Sequence, residues 1–169
     1  MSGVVKTLVH GVADARQASE IASMGVDGVV VEVGEPRGLV LDFQAAESIA
    51  SALPPLTARL ALCAPGSALP AGFWGAVTDV SANAATPEGA SLHVVRVEQE
   101  HLDPERIPAD ADAVWVRPAS SGSSAATRFD YRALDRISGY HRLIVEVPDG
   151  AAGAETAIRL ARPYALLFS

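Results

Sequence analysis

Short runs of Val, Leu and Ile, apolar on both faces, alternate along this chain with amphipathic segments rich in Ala. Parallel strands covered on both sides need runs of that kind. The first is Val4 to His10. A helix is expected from Ala15 to Met24, with Asp14 as its N-cap, Ala18, Ile21 and Ala22 on one face, and Gly25 as its stop. The second run, Gly28 to Val33, leads through Gly34-Glu35-Pro36-Arg37-Gly38 to a helix opened by Leu41-Asp42 and ended near Leu53 by Pro54-Pro55. Thr57 to Cys63 reads as a third strand.

Beyond that point the pattern weakens. Ala71 to Val77 reads as a short helical turn and Asp79 to Ala82 as a fourth strand. The connection Asn83 to Ala90, with Pro87 and Gly89, is too short for a full helix. Leu92 to Val97 is a fifth strand, Pro104 to Ile107 a single turn, and Ala113 to Val116 a sixth strand. A Ser/Gly/Ala loop runs from Ala119 to Thr127. A helix over Tyr131 to Ser138, a strand over Arg142 to Val147, a helix over Ala154 to Ala161 and a strand over Tyr164 to Phe168 complete the series.

Eight such units with right-handed crossovers predict one domain over residues 1–169, a shortened (β/α)8 TIM barrel. About 200 residues is the usual lower end for that fold. The expected savings are reduced helices after strands three, four and five and no helix after strand eight. An open, doubly wound sheet of fewer strands is the alternative. The absent last helix would bare apolar surface between the first and seventh helices, so a second copy of the chain, as a homodimer, or a partner is expected to cover it.

Composition narrows the function classes. Hydrophobic residues make up 49% and charged residues 20%, as in a globular protein. The net charge of −7 repels phosphate backbones, so nucleic acid is not an expected partner. No stretch has the roughly 18–20 apolar residues a membrane span needs. MSGVVKTLVHG is no signal peptide and Cys63 is the only cysteine, so a cytoplasmic protein is expected. His93, His101 and His141 show no metal spacing, and no glycine-rich nucleotide loop occurs, so neither metal nor cofactor is expected.

Three segments carry a resemblance. The first is Val9-His10-Gly11-Val12, then Asp14-Ala15-Arg16-Gln17-Ala18 and Met24-Gly25-Val26-Asp27-Gly28-Val29. The second is Glu35-Pro36-Arg37, then Ala45 to Ala50 and Leu53-Pro54-Pro55. The third is Phe129-Asp130-Tyr131, with Ala157 to Tyr164 near the end. In order and spacing they resemble phosphoribosylanthranilate isomerase, a (β/α)8 barrel of tryptophan biosynthesis. The resemblance implies an Amadori rearrangement, with a Cys base ending strand one and an Asp acid ending strand six. Here those positions hold His10 and Arg117. The family's Gly-Gly-Thr-Gly phosphate loop falls near Ser123-Ser124-Ala125-Ala126, and its next Gly-Gly on Val147-Pro148-Asp149-Gly150. Its final Ser-Ser-Gly segment would only begin at Ser169. Imidazole can serve as a base near neutrality, but a guanidinium holds its proton at any working pH and cannot be the acid.

Barrel sites of this fold sit at the C-terminal ends of the strands. His10, Arg117 and Glu146 are the candidate catalytic residues; Arg37, Arg96, Glu32, Asn83, Ser123 and Ser124 are the candidate binding residues. His10 reads as a base or as a hydrogen-bonded strand-end histidine. Arg96 and Arg117 could fork onto a carboxylate or phosphate. They could equally pair with Glu32 or Glu146 in an internal ion network. Arg37 reads as an anion contact or a solvated loop arginine, and the serines as donors to an anion or a plain loop. A repurposed enzyme is expected, acting on a small anionic or polar metabolite by proton transfer, an isomerisation or cyclisation of specialised metabolism. The competing reading is a non-catalytic barrel that binds a ligand or acts as an accessory subunit. A third keeps the ancestral isomerase with a rewired site.

Overall fold

The computed structural model describes residues 4–34, 40–64, 66–80, 86–118, 130–147 and 150–169. Eight parallel strands close on themselves: β1 (Lys6–His10), β2 (Gly28–Val33), β4 (Ala58–Cys63), β5 (Gly75–Asp79), β6 (Leu92–Glu98), β7 (Ala113–Arg117), β8 (Arg142–Glu146) and β9 (Ala165–Phe168). A two-residue strand, β3 (Val40–Leu41), continues the edge of β2 above the point where β1 ends. Register shows the closure directly. Leu8 pairs with Gly28 and Gly28 with Ala58; two residues on, Leu60 leads through Gly75 to Leu92. Val94 then leads to Arg142, and Ile144 through Ala165 back to Lys6, two below Leu8. Four offsets of two residues make a stagger of eight over eight strands, the closed geometry of a TIM barrel. The open-sheet alternative is thereby excluded.

The helices are α1 (Ala15–Ser23), α2 (Phe43–Ala52), α3 (Tyr131–Ser138) and α4 (Gly150–Ala161). Asp14, Asp42 and Asp130 each sit at an N-cap and accept from amides of the first turn. Gly25 takes φ +83° just past α1, a left-handed conformation that glycine adopts without steric cost. Between β4 and β5, and between β6 and β7, the described residues hold no α-helix, only turns and the 3₁₀ segments Gln99–His101 and Pro104–Arg106.

The fourth barrel strand departs from the sequence expectation. It occupies Gly75–Asp79, where a helical turn was expected, and the strand expected to start at Asp79 ends there instead. Gly75 serves packing. It faces inward, and a Cβ there would run into Leu60. Helix α4 also begins four residues before the expected Ala154.

Side-chain alternation divides the core in three. Leu8, Val30, Leu60, Leu62, Val77, Val94, Trp115, Ile144 and Leu167 fill the barrel. One outer shell lies under α1 and α2 and another under α3 and α4. Phe73, just before β5, joins the shell under α1 and α2, Ile107, after β6, joins the other, and His93 on β6 is buried. At the β1–β9 seam Leu166 is buried, while Val9 and Phe168 are half-buried.

Candidate functional site at the C-terminal end of the barrel

Inward alternation along each strand ends at the same rim. Leu8 is followed inward by His10, Val30 by Glu32, Val77 by Asp79, Val94 by Arg96, Trp115 by Arg117 and Ile144 by Glu146. Five of the nine residues picked from the sequence thus share one ring: His10, Glu32, Arg96, Arg117 and Glu146. Arg37, Asn83, Ser123 and Ser124 lie outside the described residues.

Trp115 is the centre of this ring and is 1% exposed. Its indole N–H donates to Glu146 Oε2 at 3.1 Å. His10 meets it edge-on, ring centroids 5.3 Å apart and planes at 69°. The Arg96 guanidinium lies over its face, 5.5 Å from the centroid. Ser169 Oγ donates to the other Glu146 oxygen at 3.3 Å.

The internal ion network exists, but with another partner. Arg96 Nε and a terminal nitrogen donate to the two oxygens of Asp79 at 2.7 and 2.9 Å. Arg96 therefore does not pair with Glu32 or Glu146, and its fork is not held open for a ligand. The sequence reading missed Asp79 because it placed Asp79 at the start of a strand, not at its C-terminal end.

Two nitrogens in the ring stand apart. His10 Nε2 and Arg117 Nε are buried and have no hydrogen-bond partner. Burial holds the His10 pKa below its ordinary value; Arg96 and Arg117 push the same way, against Glu146 and Glu32. Burial thus favours the neutral imidazole. Cys63 offers no second nucleophile, since burial pushes its thiol up to about 11. No three His, Cys, Asp or Glu residues gather as a metal site among the described residues. No helix among them is long and apolar enough to cross a membrane.

Beside β5, β6 and β7 the rim opens into a cavity of about 410 Å³. Arg96 and Arg117 line it together with Asp79, Glu98, His101 and Arg106, four residues not among the candidates picked from the sequence. His10 is not in its wall, so His10 and the two arginines do not converge on one opening. The only signal for Arg106 in the sequence is its place in a short turn between two barrel strands.

This arrangement defines a parallel (β/α)8 barrel with a polar rim at the end where such barrels carry their sites. No family model matches the chain. No curated protein matches it either. Solved structures sharing its fold include the phosphoribosylanthranilate isomerase of Thermotoga maritima, at TM-score 0.74 and 14% identity over 98% of this chain and 88% of that one. The enzyme of that name from Thermus thermophilus aligns at TM-score 0.69 and 18% identity, covering 96% and 86%. A phosphonopyruvate hydrolase bound to oxalate and Mg²⁺ aligns at TM-score 0.60 and 15% identity, covering 98% and 76%. At these identities the likeness establishes the fold, and barrels of one fold host unrelated reactions.

Proposed function

We propose that this chain is a barrel enzyme that takes a small anionic or polar metabolite at its C-terminal rim and moves a proton with His10, in an isomerisation or cyclisation. One observation carries this reading: His10 Nε2 and Arg117 Nε are left unpartnered in a ring where Asp79, Arg96, Trp115 and Glu146 are all paired. Leaving a buried polar group unsatisfied costs roughly 1–3 kcal/mol, which makes each such group a candidate for a functional role. A neutral imidazole can accept a proton from carbon, and Glu146 and Glu32 favour the imidazolium that results. Arg117 stays charged and stabilises the oxyanion that forms as the proton leaves. Arg96, its fork committed to Asp79, lies over the face of Trp115. The fold shared with phosphoribosylanthranilate isomerases makes isomerisation the nearest reaction class.

Trp115 supports a second reading. It fills the barrel axis beneath the rim, as in a barrel that binds without turnover. The two separate in D₂O. Incubation with a panel of small carboxylates and sugar phosphates, followed by mass spectrometry, should show deuterium entering one of them, and His10→Ala should abolish it. Saturable binding with no exchange would favour the non-catalytic barrel. Complementation of a tryptophan auxotroph lacking the isomerase tests the rewired ancestral activity; growth would replace the repurposed reading.

A further inference from the structure

The rim is asymmetric in charge, and its cationic part is built by a segment that replaces a helix. Between β6 and β7 the chain forms two 3₁₀ turns instead of an α-helix, and His101 and Arg106 from those turns enter the cavity wall. The second turn is firmly set. Pro104 stands at its start, Asp103 accepts from the Glu105 amide at 3.1 Å, and Ile107 buries its end in the outer shell. Arg106 itself is exposed on that fixed base.

The cavity holds three guanidinium groups against two carboxylates, within a protein of net charge −7. Arg96 is neutralised by Asp79. Glu98 faces His101, 3.6 Å from its Nδ1. Arg106 and Arg117 have no carboxylate within ion-pair distance among the described residues, and Arg117 Nε lacks any partner. Two forked, permanently charged donors facing one cavity fit an anion that offers at least two oxygens.

We infer that this cavity seats the anionic end of the ligand, a carboxylate or phosphate monoester held between Arg106 and Arg117 with His101 at its edge. The inference rests on the functional reading above and commits it to the β6–β7 side of the rim. A volume of about 410 Å³ accommodates a small metabolite.

The test titrates isotope-labelled protein with inorganic phosphate and, separately, with malonate. It follows the arginine Nε–H and histidine ring signals by NMR. One anion should bind saturably, and which one does distinguishes a phosphate ester from a carboxylate. Arg106→Ala should weaken binding about tenfold, as expected on losing a charge-assisted hydrogen bond. Arg106→Lys should restore part of that loss, and Arg117→Ala should weaken binding at least as much. Because Arg106 is exposed, its variants keep the fold even if Arg117→Ala does not. Binding indifferent to both arginines, or no saturable binding of either anion, overturns the inference. Binding that needs both arginines while the His10 signals stay still, with no deuterium exchange into any panel member, upholds this site and rejects proton transfer by His10.

Discussion

Arg96 and Asp79 are register partners on neighbouring strands, joined by a two-pronged hydrogen bond that closes one side of the barrel rim. The Arg96 side chain is only 13% exposed, against 45% for Asp79. Removing Asp79 would strand a largely buried guanidinium above Trp115. Loss of one partner from a buried pair costs about 3–5 kcal/mol; the exposure of Asp79 brings the expectation to about 2 kcal/mol. Urea denaturation of Asp79→Ala should show that loss, and adding Arg96→Met should recover part of it. A double variant as unstable as the sum of its singles would show that the fork contributes no coupling.

How much of this could be read from the sequence follows from what each feature depends on. Gly28–Val33 and Tyr131–Ser138 form at their expected bounds because patterning and caps act locally. The inward ring of His10, Glu32, Arg96, Arg117 and Glu146 was legible because strand alternation fixes which side chains reach the rim. The Asp79–Arg96 pair was not, since it depends on the register between two strands and one of those had been misplaced. At Gly75, a residue type that weakens a strand pattern, close packing inside the barrel requires the missing side chain. His101 and Arg106 reach the cavity through turns whose path no periodicity encodes.

Gly75 gives a sharp test of that packing. Gly75→Ala should lower stability by about 1–3 kcal/mol, the usual cost of overpacking a core, because its Cβ collides with Leu60. Leu60→Val in the same chain should relieve part of the cost. Thermal melts of the four proteins check this, and strictly additive shifts would refute the collision.

His93 is 3% exposed and bonds through both ring nitrogens, to Thr78 Oγ1 at 2.9 Å and Thr86 Oγ1 at 3.0 Å. Thr86 in turn donates to Asp110 at 3.0 Å. This chain of polar contacts helps close the barrel wall outside β5 and β6. His93→Leu keeps the volume but leaves the buried Thr78 hydroxyl without its ring partner, so a loss of about 1–3 kcal/mol is expected. His93→Leu combined with Thr78→Val should be more stable than His93→Leu alone, since both partners are then apolar. Chemical denaturation decides it.

His10 makes the rim sensitive to acid. Its folded pKa lies below the ordinary 6.5, chiefly through burial, so between those two values the unfolded chain binds a proton that the native barrel excludes. Stability tied to this group is therefore complete above pH 6.5. It declines as pH falls from there toward the folded pKa, and below that it changes no further. Replacing the imidazole by a neutral side chain of similar size, His10→Asn, should flatten this part of the stability profile. The neighbours set the position of the window. Glu146→Gln removes a charge that favours the imidazolium and should move the His10 titration lower, whereas Arg117→Gln removes a charge that opposes it and should move it higher. NMR titration of the His10 ring reads both shifts. Were both variants to move it the same way, packing changes would outweigh charge at this rim, and His10 would lose its electrostatic link to Arg117 and Glu146.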